Sequence, residues 1–246
     1  MVRLALLALL AGTPAAAQCR LALALAMDVS ASVDSREYAL MMQGTAAALL
    51  SEPVRAAIFA DQPVALAAYV WAGAREQAVV ADWALIDSPA ALEAFAARVA
   101  AFPRPTGDPL GPWSGRTAVG SALIAGRAML DRAPVCDGQT IDLAGDGINN
   151  DGPEPAPLRD TLLAGITVNA LAVSGDLPLD HGTRADEGGR LSAWFRDNVL
   201  TGPGAFVESA DSYDDFERVM RRKLERELSP PLLGQPACCQ PPRRRS

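Results

Sequence analysis

Asp28-Val29-Ser30-Ala31-Ser32 sets one carboxylate and two hydroxyls at alternate positions, directly after the apolar run Leu21 to Met27. That run reads as a buried strand, so the three oxygen side chains fall where a strand ends and a helix begins. In open α/β sheets this is the crevice in which ligands bind. Two further oxygen donors stand at comparable places: Thr117 at a helix start, and Asp146 after the apolar stretch Ile141 to Ala144. Oxygen donors suit a hard divalent cation, with Mg²⁺ expected and Mn²⁺ or Ca²⁺ as alternatives. Two carboxylates would balance its charge, while neutral hydroxyls would leave it electrophilic, with a coordination position open to an outside ligand. Convergence requires the strands before Asp28 and Asp146 to be neighbours.

Other chemistries fit the letters less well. An aspartate-based phosphatase wants a second aspartate where Ser30 stands. An EF-hand with its glycine at Gly152 needs an acidic residue at Gly147 and a glutamate at Leu158. A serine hydrolase needs a histidine; His181 is the only one, in a polar stretch, and no Gly-x-Ser-x-Gly occurs. A dinucleotide site would put a glycine-rich turn after the first strand. The polar run Asn149-Asn150-Asp151 offers groups able to hydrogen-bond metal waters or a ligand, although such residues more often make a turn.

The elements that must position these residues alternate between strand and helix. Asp34 with Glu37 forms a capping-box pattern, followed by Tyr38, Met41, Met42, Thr45 and Leu49 at helical spacing. Val64 to Trp71 reads as a strand covered on both faces, and Gln77 to Ile86 returns after Gly73 as an antiparallel edge strand. Ser88-Pro89 opens a helix running to about Ala101. After a Pro/Gly-rich loop from Phe102 to Gly115, Thr117 opens a helix running to about Arg132. Further elements are expected over Ile141 to Ala144 (strand), Leu158 to Ala164 (helix), Ile166 to Val173 (strand), Ala193 to Leu200 (helix), Ala205 to Val207 (strand) and Tyr213 to Leu228 (amphipathic helix). His181 to Gly189 reads as polar and flexible. The alternation predicts one doubly wound, mostly parallel α/β sheet.

The motifs themselves resemble a known family. Asp28-x-Ser30-x-Ser32, then Ser114-Gly115-Arg116-Thr117-Ala118-Val119-Gly120-Ser121-Ala122-Leu123, then Asp146-Gly147 resemble the three parts of the metal-ion-dependent adhesion site (MIDAS) of von Willebrand factor A domains. The chain as a whole, with Arg196-Asp197-Asn198-Val199 and Gly202-Pro203-Gly204-Ala205-Phe206-Val207, is similar to an uncharacterised family of exported bacterial proteins with that fold. The resemblance spans about Leu21 to Leu228. It implies a six-stranded sheet of order 3-2-1-4-5-6 with helices on both faces and one antiparallel edge strand. It also implies Ser30, Ser32 and Thr117 as direct or near-direct ligands, with Asp28 and Asp146 acting through water. A partner's carboxylate would then complete the metal shell.

Composition bounds the setting. Twenty-two basic against 29 acidic residues give a net charge of −7, which argues against nucleic acid as a partner. Arg3, the run Leu4 to Leu10 and Ala15-Ala16-Ala17 read as a secretory signal over residues 1–17, cleaved before Gln18. The run is well short of the ~20 apolar residues of a spanning helix, and no later segment reads as transmembrane. Lipid anchoring is disfavoured because Gln18, before Cys19, is larger than the small residue expected there. Residues 18–228 are expected to form the domain and 229–246 a disordered Pro/Arg-rich tail. Four cysteines in an exported chain permit three full pairings. If the first and fourth strands are parallel neighbours, Cys19 and Cys136 lie at the same sheet end and should bridge; Cys238 and Cys239 are left open. The expected function is cation-dependent binding of a protein or other acidic ligand in the periplasm or outside the cell. The alternatives are a metal-dependent hydrolase, or an envelope scaffold whose ion only stabilises the fold.

Overall fold

In the computed structural model, residues 19–106, 113–173 and 184–230 are described. His181, Cys238, Cys239, the signal segment 1–17 and the tail beyond 230 lie outside them. Six strands, β1 (Cys19–Asp28), β2 (Val64–Trp71), β3 (Gln77–Ile86), β4 (Cys136–Gly145), β5 (Thr167–Val173) and β6 (Val207–Ala210), form one sheet. Its order is β3-β2-β1-β4-β5-β6. β3 runs antiparallel to β2, and the other neighbours are parallel. The helices are α1 (Ser35–Leu50), α2 (Glu52–Ile58), α3 (Pro89–Ala101), α4 (Val119–Leu130), α5 (Ala156–Arg159), α6 (Arg184–Asn198) and α7 (Phe216–Leu228).

β1 explains how the sheet is covered on both sides. Successive side chains of a strand point to opposite faces, and the alternation Leu23, Leu25, Met27 against Ala22, Ala24, Ala26 divides large from small. The large set packs into a core with Met41 and Met42 of α1, Phe95 of α3 and Phe216 of α7. The alanine set faces Leu123 of α4 and Phe195 of α6 on the other side. β1 is also flanked by β2 and β4, so its carboxyl end is surrounded by the other strand ends that carry polar loops.

Capping fixes the start of α1. The Asp34 side chain accepts from the Glu37 backbone N–H, and the Asp34 N–H donates to Glu37 Oε2 at 2.8 Å. Several boundaries differ from those expected. α2 is an additional short helix with a proline in its first turn. α4 begins at Val119, leaving Thr117 in the loop before it. α6 starts at Arg184 rather than at Ala193, because Gly188-Gly189 weakens the local helical signal that tertiary packing of Leu191 and Phe195 restores. β6 begins at Val207, where its ladder to Ala170 starts. Tyr213 to Asp215 form a 3₁₀ turn ahead of α7.

Cys19 and Cys136 are paired across β1 and β4 and form a disulfide closing 117 residues of sequence. No described helix is long and apolar enough to cross a membrane.

Candidate metal site

β1 ends at Asp28, whose side chain is fully buried. Its Oδ1 accepts the Ser30 N–H at 2.7 Å, which bends the chain back over the strand end. Ser30 is buried, and its hydroxyl lies 3.1 Å from that of Ser32. Ser32 in turn donates to Asp146 Oδ1 at 2.7 Å. The carboxyl ends of β1 and β4 are thus joined side chain to side chain.

Thr117 arrives from a third direction. Its loop is stitched to both neighbours: Ala31 N–H donates to Gly115 O at 2.8 Å, Ala118 N–H to Ala72 O at 2.8 Å, and Asn150 N–H to Thr117 O at 2.8 Å. Gly115 has φ +69° and sits so close to Ala31 that a methyl group there would stand 2.7 Å from the Ala31 Cβ. Both the backbone conformation and the approach therefore demand glycine. Beyond the loop, Thr117 lies against Gly147, where a methyl would stand 3.4 Å from Thr117 Oγ1. Asp28, Ser30, Ser32, Thr117 and Asp146 are thereby gathered at the carboxyl end of the central strands, from three separate chain segments.

Asn149, Asn150 and Asp151 serve these loops. Asn150 Oδ1 accepts the Thr117 N–H at 2.9 Å and Asn149 Oδ1 the Gly120 N–H at 3.3 Å. Asp151 Oδ2 accepts the Ala74 N–H at 2.8 Å, binding the β4–α5 loop to the β2–β3 loop. Glu76 adds a further brace, accepting from the Gly73 N–H at 2.8 Å and from the Ser114 hydroxyl at 3.0 Å. These side chains hold backbone amides and brace the loops around the central hydroxyls and carboxylates.

The electrostatics are unusual for two acids so close. Burial first, and then the Asp146 charge, push the Asp28 carboxyl well above the usual carboxylate range. Asp146 is raised too, again by burial, against the Ser32 hydrogen bond that favours its charged form. Asp28 Oδ2 is buried with no hydrogen-bond partner. Among the described residues no cationic side chain pairs with either carboxylate. A buried polar atom without a partner is costly and calls for an explanation, and a divalent cation is the kind of group that would relieve it. No three His, Cys, Asp or Glu side chains gather into a metal cage among the described residues. Two carboxylates with three hydroxyls make a different donor set, one whose neutral members preserve the ion's charge.

Tyr213 completes the surroundings and was not apparent in the sequence. Helical spacing marks it as a core residue of the last helix, yet its 3₁₀ turn places the buried hydroxyl beside Asp146 and Asp28 without a well-aligned hydrogen bond. Burial first, then the Asp146 and Asp28 charges, raise its pKa well above that of an ordinary phenol.

The family model for a protein of unknown function (DUF1194) matches residues 18–232. No curated protein matches the chain. Solved structures resemble it at low identity. Proximal thread matrix protein 1 (PTMP1) from the mussel byssus, described with a zinc-occupied MIDAS motif, is 16% identical with a TM-score of 0.56, over 86% of this chain and 48% of that one. A von Willebrand factor type A protein from Catenulispora acidiphila is 14% identical with a TM-score of 0.54, over 85% and 43%. The pilus adhesin SpaC from Lactobacillus rhamnosus GG is 13% identical with a TM-score of 0.55, over 85% and 31%. The chain spans less than half the length of each of these three. At such identities the likeness establishes the fold, which is that of a von Willebrand factor A domain.

Proposed function

The chain belongs to the DUF1194 family, and from that premise we propose that it is an exported binding domain that holds a divalent cation and uses it to engage an acidic group on a protein or other ligand. The observation that supports this most is the fully buried Asp28 carboxylate beside the half-buried one of Asp146, with no cationic partner for either among the described residues and the hydroxyls of Ser30 and Ser32 bordering them. Ser30, Ser32 and Thr117 would hold the ion, with Asp28 and Asp146 balancing its charge. Mg²⁺ is the ion the donors suit best, with Mn²⁺ or Ca²⁺ as alternatives. When bound, the ion would supply an electrophilic coordination position to an anionic ligand.

The chain's own residues prepare that position. Asp28 holds the Ser30 amide and fixes the turn, Asn150 holds Thr117 by its N–H, and Gly115 lets the two loops meet. Preorganisation of this kind lowers the ordering cost of binding. The relatives' names agree with an adhesive role, since SpaC is a pilus adhesin and PTMP1 a matrix protein. A hydrolase is the less favoured reading because Asp151, one of the few available bases, is committed to the Ala74 amide. We take residues 1–17 as a cleaved signal, 18–228 as the working domain and 229–246 as a tail, with the mature protein periplasmic or secreted.

The test is recovery of envelope proteins on the immobilised mature chain. Partners retained in Mg²⁺, released by chelator and not retained by Ser30→Ala are expected. Equal recovery with and without the cation contradicts the reading.

A further inference from the structure

Lys223 is the only lysine among 246 residues, beside 21 arginines. Every other basic position carries a guanidinium, which does not deprotonate in proteins and is no nucleophile. The one amine side chain is fully buried between α7 and the sheet. Its Nζ contacts Asp142 Oδ1 of β4 and lies 2.6 Å from Glu227 Oε1 one helical turn away, with the acids' side chains about as buried as the lysine's. Asn169 of β5 donates to the same Glu227 oxygen at 2.7 Å, and the Phe206 ring covers Nζ at 5.5 Å. Despite the contact, neither Asp142 oxygen has a hydrogen-bond partner, and Glu227 Oε2 has none. The amine therefore rests against the Asp142 carboxyl without the alignment of an ordinary charge-assisted hydrogen bond.

We propose that this cluster is a self-modification site, in which the Lys223 amine and the Asp142 carboxyl condense to an amide that covalently joins α7 to β4. The reacting pair is the neutral amine and the neutral acid, which together carry the same protons as the ion pair. Nζ attacks the Asp142 carboxyl carbon, forming the C–N bond. The C–O bond to the hydroxyl breaks, nitrogen gives up one proton, and one water leaves; no oxidant or other reagent enters. Glu227, which touches the nucleophile, gives its own proton to the departing hydroxyl and takes one from nitrogen in its place. Burial lifts its carboxyl to about 8, as a group that must carry a proton at neutral pH requires. Fixing the amine and acid in contact supplies the effective concentration that free amines and acids lack.

Mass spectrometry of the full exported chain, reduced and denatured, tests this. The expected mass is lower than that of the sequence by one water, trypsin fails to cut after residue 223, and one joined peptide contains residues 142 and 223. Glu227→Gln is expected to fold and to regain the full mass. A wild-type chain of full mass overturns the proposal. So does a water loss in which the two peptides separate, as a succinimide at Asp146-Gly147 would give. Cross-linking undiminished in Glu227→Gln overturns the role given to Glu227.

Discussion

Asp28 and Asp146 carry a cost that the metal-free protein bears alone. Asn at position 28 keeps an oxygen for the Ser30 N–H while removing a buried charge that has no cationic partner among the described residues. Asp28→Asn should therefore raise metal-free stability by about 1 kcal/mol, or about 2–4 °C in the thermal midpoint for a chain of this size. Calorimetric Mg²⁺ binding should be lost in the same variant. Scanning calorimetry and titration on one preparation check both halves. Asp28, Ser30 and Ser32 were legible in the sequence because they are close along the chain and follow an apolar strand. Thr117 and Asp146 needed the order of the strands, which the motif resemblance provided and periodicity alone did not. Tyr213 and the Lys223–Glu227 pair were illegible for another reason: an aromatic at helical spacing reads as core, and charges four apart on a helix read as a solvated ion pair.

Among the elements, the loops around the site are fixed by close backbone approach. A methyl on Gly120 would stand 2.0 Å from Pro153 O, in a segment whose own N–H is held by Asn149. Gly120→Ala must push α4 away from the β4–α5 loop. We expect a loss of about 1–3 kcal/mol by denaturant unfolding, of the size of an overpacked core. Asp151 provides a pH test of the same framework. Its carboxyl lies below the ordinary value of 3.8, chiefly because it accepts the Ala74 N–H. A depressed folded-state pKa means that the stitch is present above 3.8 and is lost as pH falls through the lower, folded-state value. An NMR titration should show the Ala74 amide shift following the Asp151 carboxyl with a midpoint below 3.8, and Asp151→Asn should remove that transition. Strand and helix identity was readable where burial was continuous or capping was explicit, as in β2 and α1. It was misread at 184–192, where a glycine pair and charges hide a helix completed by tertiary contacts.

Across the whole molecule, the sheet order places the first and fourth strands side by side, and two consequences sit at opposite ends of that pair. At one end the Cys19–Cys136 bridge closes 117 residues of sequence. Its removal as Cys19→Ser/Cys136→Ser should cost about 2–5 kcal/mol in denaturant unfolding. At the other end lie Asp28 and Asp146, and the central claim is that they and the neighbouring hydroxyls hold one divalent cation. Crystals of the protein soaked in Mn²⁺, measured for anomalous scattering, address that claim most directly. A single strong peak in contact with the hydroxyls of Ser30, Ser32 and Thr117 is the predicted result. Saturating Mn²⁺ that leaves this place without a peak, or peaks only elsewhere on the surface, would contradict it.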